Sequence, residues 1–502
     1  MRHIRGTTRL MLAVFVLLVP SAAHAGPAYA IRGARIVPVK GPVIEKGNIV
    51  MRDGVIVAVG ADATIPADAI VIDGAGLHVY PGLVDAYTNF GVPRPRPQGQ
   101  QQQAALPAGL PPQLAQFLGP QAQAGGQRGV WEPDQTNDPS NYLSPPPRGV
   151  TPEMVVAREL EPGNEALAMR GVGVTSVLSA PLAGILRGQS AVVSLGDGEP
   201  GSLVIRTPFA MHAALTAGGG GGGGYPGSQM GAIAAFRQTL LDAQWYAARK
   251  AQWEQRNGQG VPRPPYSASS EALQDVIAGR QTVVFSVTQW NDVLKVLRLA
   301  EEFKLRVIVE TNANAVRVAP QLKQAGVPVI LSLNFRVPTG GGGGFGGFGQ
   351  QQPDEDEQRE REQEAQRAAA ELAKAGVNVV FSSVGLGSYP EFVTNARTAA
   401  EHLGKDVALE ALTIRAAELF GLSNSLGSLE AGKIANVIVT TGHPLDQGSQ
   451  LRHVFVDGQP VRFRAPDPPR PAPGQQQQQQ RRRPGGQRPP GEDGGSQKEV
   501  RP

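Results

Sequence analysis

The chain has no cysteine in 502 residues. Disulfides, a thiol nucleophile, thiolate metal ligands and a lipoprotein anchor are therefore excluded. Histidine is scarce too: there are seven, and His3 and His24 fall within the first 25 residues. The other five are His78, His212, His402, His443 and His453, and no two are close enough in sequence to form a ligand pair. Long apolar runs are also missing. Leu10 to Val19 is the only sustained one, and it is too short to span a bilayer. No Gly-x-Ser-x-Gly elbow occurs. The glycine tracts are too long and uniform for a phosphate-binding loop and read as linkers.

What is present begins with a leader. Arg2, Arg5 and Arg9 precede the apolar run, and Ala23-His24-Ala25 is a small-residue cleavage site. This is the pattern of a signal peptide over 1–25, with an uncleaved anchor as the alternative. The expected location is periplasmic or secreted, with no transmembrane span after cleavage. The net charge of +4 is unevenly spread: the leader carries +3 and residues 461–502 carry +5, which leaves 26–460 at −4. The basic balance belongs to a tail, so no nucleic-acid partner is expected. The 63 glycines and 43 prolines are concentrated in a few segments, so the folded part is smaller than the length suggests.

Residues 30–73 alternate short β-rich runs with turns. Asn48 to Met51, Asp53-Gly54 and Val55 to Val59 read as a hairpin, with Ile31 to Val37 and Ile70 to Asp73 as further strands. Ala435 to Thr440 and His453 to Val461, with a second Asp-Gly at Asp457-Gly458, look the same. One small sheet domain built from both ends is expected, from 26–78 and 421–461. Between them, over 79–420, strands alternate with helices. Strands are expected at Val79 to Asn89, Gly173 to Leu178, Ala191 to Leu195, Thr282 to Val287, Leu305 to Glu310, Val327 to Leu333 and Val377 to Ser382. Helical faces include Ile233, Phe236, Leu240 and Ala243, and a charged helix runs from Asp354 to Ala375, closed by Gly376. This spacing indicates a parallel sheet, and by itself allows either a closed barrel or an open doubly wound sheet. Low-complexity insertions interrupt it at 92–148, 217–228 and 339–353. The first either shapes the site or is a disordered spacer, the reading its composition favours. Residues 462–502 form a Pro/Gln/Arg tail that cannot bury a core. It is solvated or held near anionic envelope polymers.

Three stretches resemble the metal-dependent amidohydrolases, close to their imidazolonepropionase-like branch. They are Pro81-Gly82-Leu83-Val84-Asp85, the helix Ala408 to Glu418, and Leu426 to Asn436. The resemblance covers most of 30–91 and 150–461. It implies an α/β fold: a (β/α)8 TIM-like barrel beside a composite β-sandwich of the N- and C-terminal segments. The family motif continues Asp-x-His-x-His, and its two histidines hold metal. Here Tyr87 and Asn89 stand in those places. By the same resemblance Ser286 and Thr311 stand at histidine positions of later strands, Thr311 within a residue of register, and Val384 stands at an aspartate that binds metal and activates water. A buried carboxylate without its cation costs several kcal/mol or takes up a proton, so valine at 384 fits a site that has lost its metal.

The remaining strand-end residues are polar and mostly uncharged. Asp85 and Glu310 are the candidates for an acid/base pair. Asn312, Asn334, Ser383 and His212 are candidate pocket residues. The leading expectation is an exported amidohydrolase-family protein without a metal cofactor. It would bind a small-molecule ligand, or pair as a homo- or hetero-oligomer with an active relative. The second is a hydrolase of carbon–nitrogen bonds in cyclic amides or dipeptides, with an altered site and zinc or another divalent metal. The third is an envelope scaffold acting through the tail.

Overall fold

A computed structural model describes residues 26–93, 147, 149–216, 226–336 and 355–463. The leader, almost all of the three insertions and almost all of the tail lie outside the described residues. The chain opens with β1 (Tyr29–Ile36), β2 (Ile44–Arg52), β3 (Val55–Gly60), β4 (Ile70–Asp73) and β5 (His78–Pro81). Its middle supplies β6 (Leu83–Thr88), β7 (Val174–Ser179), β8 (Leu186–Gln189), β9 (Ala191–Ser194), β10 (Val204–Arg206) and β11 (Ala210–Ala214). These are followed by β12 (Thr282–Ser286), β13 (Val307–Thr311), β14 (Val329–Ser332) and β15 (Val379–Ser382). It closes with β16 (Val437–Thr440), β17 (Leu451–Val456) and β18 (Gln459–Pro460). No helix among the described residues is long and apolar enough to cross a membrane.

Both ends of the chain build one eight-stranded sheet, ordered β18-β17-β16-β5-β1-β2-β3, with β4 also on β1. Ile31, Ile36, Ile49, Val79, Val437 and Phe455 pack its core. The two Asp-Gly pairs are tight hairpin turns. Asp53 and Gly54 have φ of 51° and 81°, and Asp457 and Gly458 have 51° and 71°. Two successive positive φ values match the right-handed strand twist, and Asp-Gly adopts them at little cost. The turns also meet: the Ala435 amide donates to the Gly54 carbonyl, and the Gly458 amide to the Ala435 carbonyl.

Two further sheets carry the middle of the chain, β10-β9-β7-β6 and β15-β14-β13-β12-β11-β8. Neighbours from β11 to β15 are parallel, as are β6 and β7. The expectation of a wholly parallel sheet is corrected at β8, β9 and β10, which pair antiparallel with β11, β7 and β9 respectively. The reason is the short connection after β7. Residues 180–185 contain no helix, and a parallel return needs a crossover of about a dozen residues or more.

The parallel strands are buried on both faces. Val284, Ile308, Ile330 and Val380 form an inner layer with Val84, Leu178 and Ala210. Val283, Phe285, Val309, Leu331 and Phe381 point the other way, into the larger core that holds the helices. The helices Gln229–Gln255 and Trp290–Phe303 place Phe236, Leu240, Val293 and Val296 there. The helix Glu355–Lys374 starts on three acids, ends on Lys374 and stops before Gly376, whose φ is 78°. That charge order suits the helix dipole.

The run Val79 to Asn89, expected as one strand, is two. β5 pairs with β1 and β16 in the terminal sheet, while β6 pairs with β7. The break is Gly82. A Cβ there would lie 2.1 Å from Thr175 Oγ1 and 2.7 Å from Thr175 Cβ, so only glycine allows the chain to pass between sheets. Gly82→Ala is expected to lower stability by about 1–3 kcal/mol, the usual cost of overpacking. Urea unfolding measures it, and Thr175→Gly in the same chain should recover most of the loss. No recovery would mean the crowding is not with Thr175.

Candidate functional site

Five side chains from different strands converge at one end of the inner layer. Tyr87 ends β6 and is fully buried. Its hydroxyl lies 3.1 Å from Ser286 Oγ on β12 and 3.3 Å from His212 Nδ1 on β11. Arg187, on β8, donates from one Nη to Ser286 Oγ at 2.9 Å and to the Tyr87 hydroxyl at 3.3 Å. Its Nε donates to the Gly184 carbonyl at 3.1 Å. Glu310, on β13, pairs in register with Ser286 and is buried. The Tyr87 and His212 rings are 5.2 Å apart.

Beside this cluster, Asp85 closes the gap between β6 and β15. Its carboxylate accepts from the Tyr87 amide (3.2 Å), the Ser383 amide (3.0 Å) and the Ser383 hydroxyl. The loop after β15 is held by the neighbouring strand β14 and the residues just after it. Ser332 Oγ donates to the Val384 carbonyl (2.7 Å), and Asn334 Nδ2 to the Gly385 carbonyl (2.9 Å). Val384 packs its side chain on the inner layer.

Burial governs the charges here. It raises Asp85 to about 6 against three hydrogen bonds that favour the ionised form. It raises Glu310 to about 7, offset in part by Ser286 and by the Arg187 cation. Burial, then Arg187, pushes His212 down to about 3, so the ring is neutral at physiological pH. Its Nε2 is buried with no partner among the described residues.

Tyr87 and Ser286, two expected metal positions, are thus brought together, and His212 joins them. Thr311 is not brought there. Side chains alternate along a strand. Ile308 faces the inner layer and Val309 the outer core, so Glu310 points inward and Thr311 outward. Asn89 sits half-buried beyond Tyr87, with its carbonyl accepting from the Val92 amide at 3.1 Å. Asn312 caps the turn that follows β13, its Oδ1 accepting from the Asn314 amide at 3.1 Å. Among the other histidines, His78 lies in the terminal sheet against Tyr80, and His402 is exposed in the last turn of its helix.

Sequence reasoning missed Arg187 and described the strand ends as mostly uncharged. A signal was available: Arg187 is the only charged residue between Arg170 and Asp197. The cation also decides whether the implied metal fits. A divalent ion on the Tyr87 and Ser286 oxygens would sit beside a guanidinium already bonded to both. At about 4 Å and an effective dielectric constant of ~20, the repulsion is roughly 8 kcal/mol. Among the described residues no three His, Asp or Glu side chains are grouped to hold a metal. The residues do not fit the ion.

Residues 299–461 match the family model described as the amidohydrolase family. Over 87% of this chain and the whole of the other, the fold is similar to an amidohydrolase from Thermotoga maritima MSB8, at 21% identity and a TM-score of 0.66. A prolidase complexed with N-methylphosphonate-L-proline is also similar, at 18% identity and a TM-score of 0.47, again over 87% of this chain and all of that one. No curated protein matches. The similarity to the amidohydrolase family is shown by the family model over residues 299–461.

Proposed function

We propose that this is an exported amidohydrolase-family protein whose metal site has been replaced, and that it works by binding a small molecule, alone or as a subunit beside an active relative. The observation that carries the reading is the Arg187 guanidinium, bonded to the two hydroxyls that stand at expected metal positions. A (β/α)8-like barrel is the architecture that goes with it. In support, β8 runs into β9 through Ser190, whose amide donates to the Ala210 carbonyl, and Asp85–Ser383 hydrogen bonds link β6 to β15. Eight staves would then close in a ring, with the terminal sheet as the separate domain. Export rests on the leader over 1–25.

The experiment is elemental analysis of the mature protein, purified without chelators or a histidine tag. The expected result is less than about 0.1 divalent metal per chain. About one equivalent, with hydrolysis that a chelator abolishes, would overturn the reading.

A second reading draws on Glu310. A carboxyl group near 7, facing a hydroxyl and a cation, suits proton transfer in a metal-free hydrolase. Turnover of an amide or dipeptide substrate lost in Glu310→Gln would favour it over pure binding.

A further inference from the structure

We propose that the Arg187 cluster is a receptor for the carboxylate group of a small organic acid. This rests on the metal-free reading above and names the ligand class of that same site. The geometry supplies donors. Arg187 uses Nε and one Nη on protein acceptors, and its other Nη has no partner among the described residues. No carboxylate comes within ion-pair distance of the guanidinium there. Arg187 and Ser286 are the half-buried members of the cluster, whereas Tyr87, His212 and Glu310 are buried, so a ligand meets those two first.

The neighbours favour an acceptor-only ligand. One of the Tyr87 and Ser286 hydroxyls donates across their 3.1 Å contact and the other can turn its proton outward, and a proton on the buried Glu310 would add a further donor beside the guanidinium. His212 Nε2 is buried and unpartnered, in the way a group awaiting a ligand atom would be. A carboxylate oxygen suits the free Nη of the guanidinium, where charge-assisted bonds are about twice as strong as neutral ones. A phosphate dianion would bring two charges to a single guanidinium with Asp85 and Glu310 nearby. A neutral amide would leave the cation uncompensated.

The test uses the mature full chain, analysed for metal, in buffer free of carboxylates. Butyrate is titrated by calorimetry beside butyramide and inorganic phosphate, and again with Arg187→Gln, Arg187→Lys and Ser286→Ala. The expected result is saturable butyrate binding to the metal-free chain. It should weaken at least about tenfold in Arg187→Gln and be partly kept in Arg187→Lys, with butyramide and phosphate binding at least about tenfold more weakly. Circular dichroism confirms that each variant is folded, and Ser286→Ala, which keeps the cation, should lose less than Arg187→Gln. No butyrate binding by metal-free protein overturns the carboxylate receptor while the metal-free reading stands. Binding that is equal in Arg187→Gln, or equal for butyramide, also overturns it. Butyrate held through a metal and released by a chelator overturns both.

Discussion

Arg170→Ala is expected to lower stability by about 3–5 kcal/mol, with the loss read as an earlier urea midpoint. Arg170 is 3% exposed on the helix Glu165–Gly171. Its Nε donates to the Leu195 carbonyl at 2.5 Å, one Nη to Gly196 at 2.7 Å and the other to Arg462 at 3.1 Å. Its ion pair with Asp197 contributes little, because Asp197 is 63% exposed and water screens it. Alanine leaves three carbonyls without their donor, each costing about 1–3 kcal/mol where water cannot reach. Arg170→Lys should recover only part, since one ammonium cannot follow the planar fork onto three acceptors. A midpoint for Arg170→Ala that matches the parent would mean the carbonyls find water, and the clamp would be abandoned.

The second large effect is at Asp85, and its sign depends on pH. The folded carboxyl is raised to about 6, above its unfolded value near 4, so the native state holds the proton more tightly. Stability should be highest below about pH 4 for this group and fall as pH rises through 6. Glu310 adds a later fall that ends near 7. Asp85→Asn keeps the shape of the network. Both backbone amides reach the same oxygen, Oδ1, and the Ser383 hydroxyl faces the other atom, where an amide NH₂ can donate. At pH 8 the asparagine variant is expected to be about 2–3 kcal/mol more stable, with the gain gone by pH 4. Asp85→Ala should instead lose about 2–4 kcal/mol at either pH, because buried donors lose their acceptor. Urea unfolding at pH 4, 6 and 8 separates these outcomes. An asparagine variant that is no more stable at pH 8 than at pH 4, relative to the parent, would reject the buried-charge account.

The scaffold was legible in the sequence because its signals are local. Two Asp-Gly pairs announced two hairpins. The run Ser428 to Lys433 reads as a marker and is one in space: Ser428 Oγ lies 2.6 Å from Glu430 and 2.5 Å from Lys433 Nζ. Asn436, in place of an aspartate, uses both ends of its amide, donating to Ser176 Oγ and accepting from the Asp457 amide. The site was legible only in part. Tyr87 and Ser286 could be placed by their motifs, but Arg187 joins them across about a hundred residues on either side, and nothing periodic predicts that meeting. Glu310 and Thr311 differ by one position, and in a strand one position is the whole difference between the two faces. The strand at β9 was expected, but β8 and the antiparallel direction of both were missed, because a short apolar run has no direction of its own.

The terminal sheet sets an order of events in the making of the protein. Val79 pairs with Val439, about 360 positions later, and Val55 bridges to Ile434. At ~5–20 residues per second, β1 to β5 wait roughly 20–75 s for the strands that complete their sheet. Through that interval one edge of β5 has no neighbour, and the apolar faces of Ile31, Ile49 and Val79 lack Val437 and Phe455. The newly made chain is a poor substrate for early folding, and it remains threadable until its last strands exist.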